Sequence, residues 1–190
     1  AIRIEPGAYR TFIASAGVAD ILQMFSWHGL SEAAIQQGES AFGKMRNQGA
    51  VLSPLFSLAE DFSNGMVPRF NDNGEIAPER LELIARGQLE NTLVSSRTAK
   101  EYGIASNFAA EGEDLRSPSM ATGELEEEDV LAALGTGVYL SNLHYLNWSD
   151  MIGGGITGMT RYACFWVEDG EIKGPIENMR FDDSIYRFLG

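Results

Sequence analysis

The residue types that most often carry chemistry are scarce in this chain. Its 190 residues include two histidines, His28 and His144, and one cysteine, Cys164. A zinc site needs three or four ligands, and these three side chains are widely separated in the sequence. A single cysteine excludes a disulfide framework within the chain, and no Gly-x-Ser-x-Gly nucleophile sequence occurs. The residues by themselves therefore indicate no self-evident active site.

Each of these three side chains has both a structural and a functional interpretation. His28 is at the end of the first predicted helix, where it can interact with the last backbone carbonyls. His144 begins a polar and aromatic stretch, which predicts either a ligand-binding loop or aromatic packing beneath a long loop. Cys164 alternates with apolar neighbours and shares a strand face with Tyr162 and Trp166, a pattern typical of a small buried hydrophobe. A nucleophilic pair of Cys164 with either histidine has no local sequence signature.

The chain is strongly acidic, with 27 acidic and 14 basic residues and a formal net charge of -13. Nucleic acids and anionic membrane surfaces bind basic faces, so we expect neither as a partner. Eight acids and one base, Arg116, lie in 111–129, which predicts a solvated loop followed by an acid-rich first helical turn. No apolar run approaches the roughly 18 residues of a membrane span. We expect a cytoplasmic protein.

Hydrophobic periodicity and turn residues predict an α+β fold, with mostly antiparallel β hairpins and sheets and two or three helices. The predicted helices are 17–28, 97–102 and 125–134, each followed by a glycine. The predicted strands are 9–14, 51–58, 66–71, a hairpin of 81–86 with 88–95, and a hairpin of 162–167 with 171–177 around an Asp-Gly turn. The cluster 153–155 (GGG) predicts a flexible loop. We expect one domain over 1–190.

Several segments, taken in order, resemble the C-terminal domain of the TldD/PmbA family, whose members include metallopeptidase-related proteins once called modulators of DNA gyrase. They are FNDNG at 70–74, IARGQL at 84–89, SRTAKEYG at 96–103, GTGVY at 135–139, ITGMTR at 156–161, FWVEDGEI at 165–172 and PIEN at 175–178. The resemblance runs from about residue 6 to residue 180 and is closer to the PmbA (TldE) side. It implies the fold of that domain, and a chain cut from a longer protein, consistent with a first residue that is not Met.

The resemblance implies that a His-Glu-x-x-x-His motif supplies two zinc ligands and a general base in TldD-type members. Aligned to this chain, Gln23 stands in place of the first histidine, Met24 in place of the glutamate, and only His28 remains. An amide oxygen is a poor zinc ligand beside imidazole or thiolate, and a thioether cannot act as a base. The third ligand would be a later cysteine, whose position Cys164 does not match. We therefore expect no cofactor in this chain, with zinc in the related TldD-type subunit.

The resemblance thus implies the role of the non-catalytic PmbA/TldE-like subunit of a complex that degrades or matures unfolded peptides. The partner would be a TldD-like subunit or a second copy of the chain. Candidate substrate or cavity residues are His28, His144, Asp150 and Arg161, and none is assigned as catalytic or as a metal ligand. Two alternatives stay open: a divergent zinc metallopeptidase using His28, His144 or Cys164, and a self-associating peptide-binding module.

Overall fold

The computed structural model describes all 190 residues and contains six short α-helices. The helices are α1 Ser15–Met24, α2 Glu32–Gln37, α3 Gly43–Gln48, α4 Ser96–Tyr102, α5 Val130–Leu134 and α6 Ile185–Phe188, with a 3-10 turn at Glu127–Asp129 before α5. Local chemistry sets the bounds of α2 and α4. A serine hydroxyl caps each N-terminus and a left-handed glycine ends each helix.

Eleven strands form three sheets, and most of the strand pairs are antiparallel. The strands are β1 Thr11–Ile13, β2 Leu58–Asp61, β3 Arg80–Ala85, β4 Gln88–Leu89, β5 Pro118–Met120, β6 Gly137–Leu140, β7 His144–Asp150, β8 Gly155–Met159, β9 Cys164–Glu168, β10 Glu171–Pro175 and β11 Arg180–Ser184. The chain divides into two compact units: the first comprises 1–22, 123–147 and 156–182, and the second comprises 23–122, 148–155 and 183–190.

The first unit contains a four-stranded sheet in the order β1-β6-β9-β10. Its one parallel pairing joins β1 to β6, with Phe12 opposite Tyr139 and their rings 5.3 Å apart. The β9–β10 hairpin turns at Asp169 and Gly170, both at positive φ (52° and 76°), as a type I′ turn requires. A three-stranded sheet in the order β11-β8-β7 has most of its residues in this unit.

The second unit is built on a four-stranded sheet in the order β4-β3-β2-β5. Its core is apolar and aromatic. The Phe25 ring lies 4.9 Å from Phe42, 6.4 Å from Phe56 and 6.5 Å from Trp148, and both Phe25 and Phe42 are fully buried. Other side chains of this unit with no exposed surface are Leu30, Leu58, Leu83, Ile84 and Ile185.

The fold class predicted from the sequence, α+β with mostly antiparallel sheets, is confirmed. Both hairpins form, and a helix ends at Gly103 as predicted. The number of helices was predicted too low, because α2, α3 and α6 have only four to six residues and give no periodic signal. No helix of the chain has both the length and the apolar character that crossing a membrane requires.

Other sequence predictions need correction. The strand predicted at 51–58 is a loop that ends where β2 begins, and 66–71 holds only the isolated bridge between Phe70 and Ile76. The helix predicted over 125–134 is a 3-10 turn followed by five α-helical residues. The 144–150 stretch is strand β7 rather than a loop. Within 153–155, the first two residues lie in a turn, where the Gly153 N–H donates to the Asp150 carboxylate, and Gly155 is the first residue of β8.

Candidate functional site

The three residues that the family resemblance aligns with a zinc motif, Gln23, Met24 and His28, lie at the end of α1 and just beyond it. Helix α1 ends at Met24, whose side chain is only 1% exposed. Gln23 is exposed on the last turn, and His28 lies beyond the helix in the left-handed conformation, with φ 59°. The His28 ring faces solvent and pairs with Glu39 at 3.8 Å. A helix that stops after Met24 therefore cannot present these three side chains along one face.

This geometry does not fit a zinc ion. A buried thioether replaces the base, and an amide replaces the first imidazole. No three side chains of the types His, Cys, Asp and Glu come close enough together in this chain to hold a metal ion. Cys164 is buried, with its Sγ 3.3 Å from the Tyr162 carbonyl, as its alternating pattern predicted. Its predicted strand face is wrong for Tyr162, because left-handed Ala163 separates that residue from β9.

The structure brings together two of the four candidate residues, His144 and Arg161. Nη1 of Arg161 lies 2.6 Å from Nε2 of His144, and the guanidinium stacks over the Tyr162 ring at 5.2 Å. The Tyr145 ring contacts the His144 ring edge to face, with centroids 4.3 Å apart. We call these four residues the Arg161 cluster. Arg161 and the two tyrosines are exposed, Tyr145 by 71% and Tyr162 by 59%.

Hydrogen bonds to the backbone on both sides of Arg161 fix the position of the Arg161 cluster. Thr160 is buried; its N–H donates to the Met179 carbonyl and its hydroxyl accepts from the Met179 N–H. On the other side, the Ser141 hydroxyl donates to the Tyr162 carbonyl at 2.7 Å. Tyr145 itself adopts φ 50°, a conformation that L-residues with bulky side chains rarely take. Such positions cluster where a side chain is held for binding.

The chemistry of the two groups gives the contact between Arg161 and His144 its direction. A guanidinium only donates hydrogen bonds. Nε2 of His144 is therefore the acceptor in this contact. No carboxylate lies within 4.0 Å of the Arg161 guanidinium. Its positive charge is thus available to an anionic or carbonyl-bearing ligand.

The other two candidates, His28 and Asp150, both belong to the second unit. The Asp150 carboxylate accepts from the backbone N–H groups of Ile152 and Gly153, at 3.2 and 2.8 Å. This is the hydrogen-bonding pattern by which an aspartate stabilises its own turn. The Asp150 carboxylate therefore has a local structural role.

Sequence reasoning missed Glu113, a buried carboxylate that accepts four hydrogen bonds. It lies in the acidic stretch predicted to be solvated, and the other seven acids there are indeed exposed, but Glu113 is 1% exposed. Its Oε2 accepts from the Ser31 hydroxyl at 2.6 Å and the Ala33 N–H at 2.9 Å. Its Oε1 accepts from the N–H and hydroxyl of Ser95 at 2.9 and 3.0 Å. We call these residues the Glu113 cluster.

The Glu113 cluster joins two helix N-termini, because Ser31 caps α2 and Ser95 caps α4. Each carboxylate oxygen thus serves one helix, where unpaired N–H groups favour negative charge. Burial alone would raise the pKa of the Glu113 carboxyl, but the hydrogen bonds from Ser31, Ser95 and Ala33 outweigh it and lower the pKa. These bonds make Glu113 a structural residue.

Glu60 is a contrasting buried carboxylate, 3% exposed. It accepts only backbone N–H groups, from Arg116 and Ser117. Burial dominates, and the pKa of Glu60 is raised. The cavity beside it has a volume of about 10 Å³, enough for nothing larger than a water molecule. A raised carboxyl pKa is frequent in active sites, but this carboxyl has no ligand-sized space beside it.

Comparison with known proteins gives the class to which this fold belongs. The family model described as "PmbA/TldA metallopeptidase C-terminal domain" matches residues 6–190. The chain therefore belongs to this metallopeptidase-related family, as the sequence motifs predicted. Among curated proteins, it is 31% identical over 108 residues to Metalloprotease PmbA of Escherichia coli O157:H7, an alignment that covers 57% of this chain and 23% of that protein.

Solved structures have the same fold at low sequence identity. A candidate modulator of a DNA gyrase from Thermotoga maritima superposes with TM-score 0.81 at 19% identity, and one from Bacteroides thetaiotaomicron with TM-score 0.82 at 16%. TldE from Thermococcus kodakarensis gives TM-score 0.69 at 17%. Each covers 99% of this chain, which in turn spans only 44%, 41% and 45% of those proteins.

Proposed function

We propose that this chain belongs to the non-catalytic, PmbA/TldE-like subunit of a complex that degrades or matures peptides. One observation carries the proposal: the family fold is intact, while the position of the zinc motif holds an exposed amide, a buried thioether and a left-handed histidine. Such a position cannot supply two imidazole ligands and a base. The catalytic zinc would then belong to a TldD-like partner subunit.

Within such a complex, the Arg161 cluster is the surface that we propose contacts the peptide. It combines a guanidinium without a carboxylate partner, an imidazole and two exposed phenol rings. Arginine and tyrosine are the residue types most enriched where protein surfaces bind partners. The Arg161 guanidinium would pair with peptide carbonyl or carboxylate oxygens, and the rings would pack against apolar side chains.

The subunit role is tested with the full-length protein, purified without chelators alone and together with a TldD-type subunit. We expect a stable complex, zinc in the partner only, and peptide degradation by the complex but not by the protein alone. Stoichiometric zinc in the isolated protein, lost in His28→Ala but kept in a His144→Ala control, would contradict the proposal. So would peptide degradation by the isolated protein.

The role of the Arg161 cluster is tested in the same complex with Arg161→Ala. We expect KM for a peptide substrate to rise about tenfold, because charge-assisted hydrogen bonds contribute about 1.5–3 kcal/mol. Arg3→Ala is the matched control, since it removes the same charge from an exposed position of the same unit. Equal KM values for the two variants would show that the cluster does not contact the peptide.

A further inference from the structure

The second unit carries an open groove that the proposed function does not use. Its volume is about 580 Å³, within the range of small-ligand sites. Apolar side chains on its wall come from Val67, Pro68, Phe70 and Ala110, and its charged side chains are Asp72 and Arg116. We call it the Phe70 groove. Four of the five residues of the segment 70–74, one of the motifs by which the sequence resembles its family, line it.

The Phe70 ring lies in this groove with 58% of its surface exposed, although the backbone around it is tightly bonded. Buried Asn71 donates to the carboxylate of Glu75 and to the carbonyls of Phe108 and Ala109. Its own side-chain oxygen accepts from the N–H groups of Asn73 and Glu75. A large aromatic ring is thus exposed on a turn that is already ordered. A ligand that covers the ring therefore binds with little loss of conformational entropy in the protein.

Arg116 gives the groove a positively charged group with a fixed orientation. Its guanidinium donates to the carbonyls of Phe70 at 2.9 Å and Arg69 at 3.1 Å, and stacks over the Phe62 ring at 4.9 Å. A guanidinium has five N–H donors, so three remain without a protein acceptor. No carboxylate lies within 4.0 Å of it. Arg116 is therefore held in place by neutral groups, and the buried Glu60 carboxylate interacts with its charge only over a longer distance. The remaining N–H groups of Arg116 are available to an anion.

We infer that the Phe70 groove binds the C-terminal residue of a peptide whose last side chain is apolar. Such a residue has a carboxylate, a backbone N–H and a hydrophobic side chain. These match the free N–H groups of Arg116, the acceptor oxygens of Asp72, and the apolar wall around Phe70. The peptide nature of the ligand rests on the proposed function. The preference for a free C-terminus follows from the groove.

Charge complementarity selects this part of a peptide over others. An internal segment presents no anion to Arg116 unless an acidic side chain is present, and an acidic side chain brings no apolar group with it. An apolar C-terminal residue provides both groups on one carbon atom. A guanidinium forms two parallel hydrogen bonds to a carboxylate, which gives orientation as well as affinity.

The test measures fluorescence anisotropy of the full-length protein with two fluorescein-labelled hexapeptides of one sequence ending in leucine, one a free acid and one a C-terminal amide. We expect the acid to bind about tenfold more tightly, since the amide lacks the charge. Phe70→Ala should weaken acid binding at least about fivefold. Leu55→Ala, which truncates a side chain that is 90% exposed and outside the groove, is the matched control and should change nothing.

Equal affinities of the acid and the amide would overturn the inference, as would undetectable binding of both or equal effects of Phe70→Ala and Leu55→Ala. Circular dichroism of each variant establishes that it is folded. The proposed function fails separately, through zinc in the isolated protein or absence of a complex with a TldD-type subunit. Acid-selective binding without such a complex would leave the groove assignment standing and remove only the subunit role.

Discussion

The Glu113 cluster and the Arg161 cluster use charge in opposite ways. Glu113 is buried and accepts four hydrogen bonds at two helix N-termini. Arg161 is exposed, and its one hydrogen bond to a side chain goes to the imidazole of His144, not to a carboxylate. A buried charge must be fully paired, or folding is penalised. An exposed charge without an opposite partner contributes little to the fold and remains free for a ligand. The more strongly paired charge is therefore the structural one.

The largest effect that we expect comes from Glu113→Ala. The substitution leaves the donors of buried Ser31 and Ser95 and of half-buried Ala33 without an acceptor, so the free energy of unfolding should fall by about 4 kcal/mol. Urea denaturation followed by circular dichroism measures it. Glu111→Ala, two residues away and exposed, is the control and should stay within about 0.5 kcal/mol of the parent. Similar losses in both variants would remove the distinction between the two clusters.

Ser95→Ala should have the next largest effect. It removes the hydroxyl that caps α4 at Thr98 and that donates to Glu113. The loss of a cap costs about 1–2 kcal/mol. Thermal unfolding should show a lower Tm than the parent, while Ser95→Thr, which keeps a hydroxyl, should recover part of the difference. A Tm of Ser95→Ala equal to that of the parent would mean that Glu113 alone stabilises this helix N-terminus.

The pH dependence of stability should differ between Glu113 and Glu60. The lowered pKa of Glu113 means that its contribution is complete above the pKa of the unfolded chain and is lost as pH falls through the folded-state pKa. The raised pKa of Glu60 has the opposite sign, so stability declines as pH rises from the unfolded-state pKa to the folded one. Unfolding curves between pH 3 and pH 7 should lose part of the acid-side decline in Glu113→Gln. In Glu60→Gln they should lose the opposing slope. Unchanged profiles would contradict these assignments.

The smallest effect on stability is expected in the Arg161 cluster. Arg161→Ala and His144→Ala remove an exposed contact, so the free energy of unfolding should change by less than about 0.5 kcal/mol. Urea denaturation again provides the measurement. A loss above about 2 kcal/mol in either variant would mean that this cluster also supports the fold, and the comparison between the two regions would no longer hold.

The parts of the fold that were predicted correctly from the sequence are determined by residues close to one another in the chain. The Asp169-Gly170 turn and the helix end at Gly103 follow from the few residue types that tolerate positive φ. Gln23 and Met24, where the resemblance implies His and Glu, are likewise read directly from residue type at a given spacing, and the absence of zinc from this chain stays a prediction. Short helices such as α2 escaped prediction, since six residues give too few periodic positions.

The tertiary structure alone decided the environment of individual charges. Glu113 lies among eight acids of similar local sequence, yet it alone is buried, because it meets Ser31 across 82 residues and Ser95 across 18. Arg161 meets His144 across 17 residues, and the Phe70 groove includes Arg116, 46 residues along the chain from Phe70. Local sequence sets backbone conformation over a few residues. Burial and pairing of a charge depend on which distant donors and acceptors the folded chain brings to it.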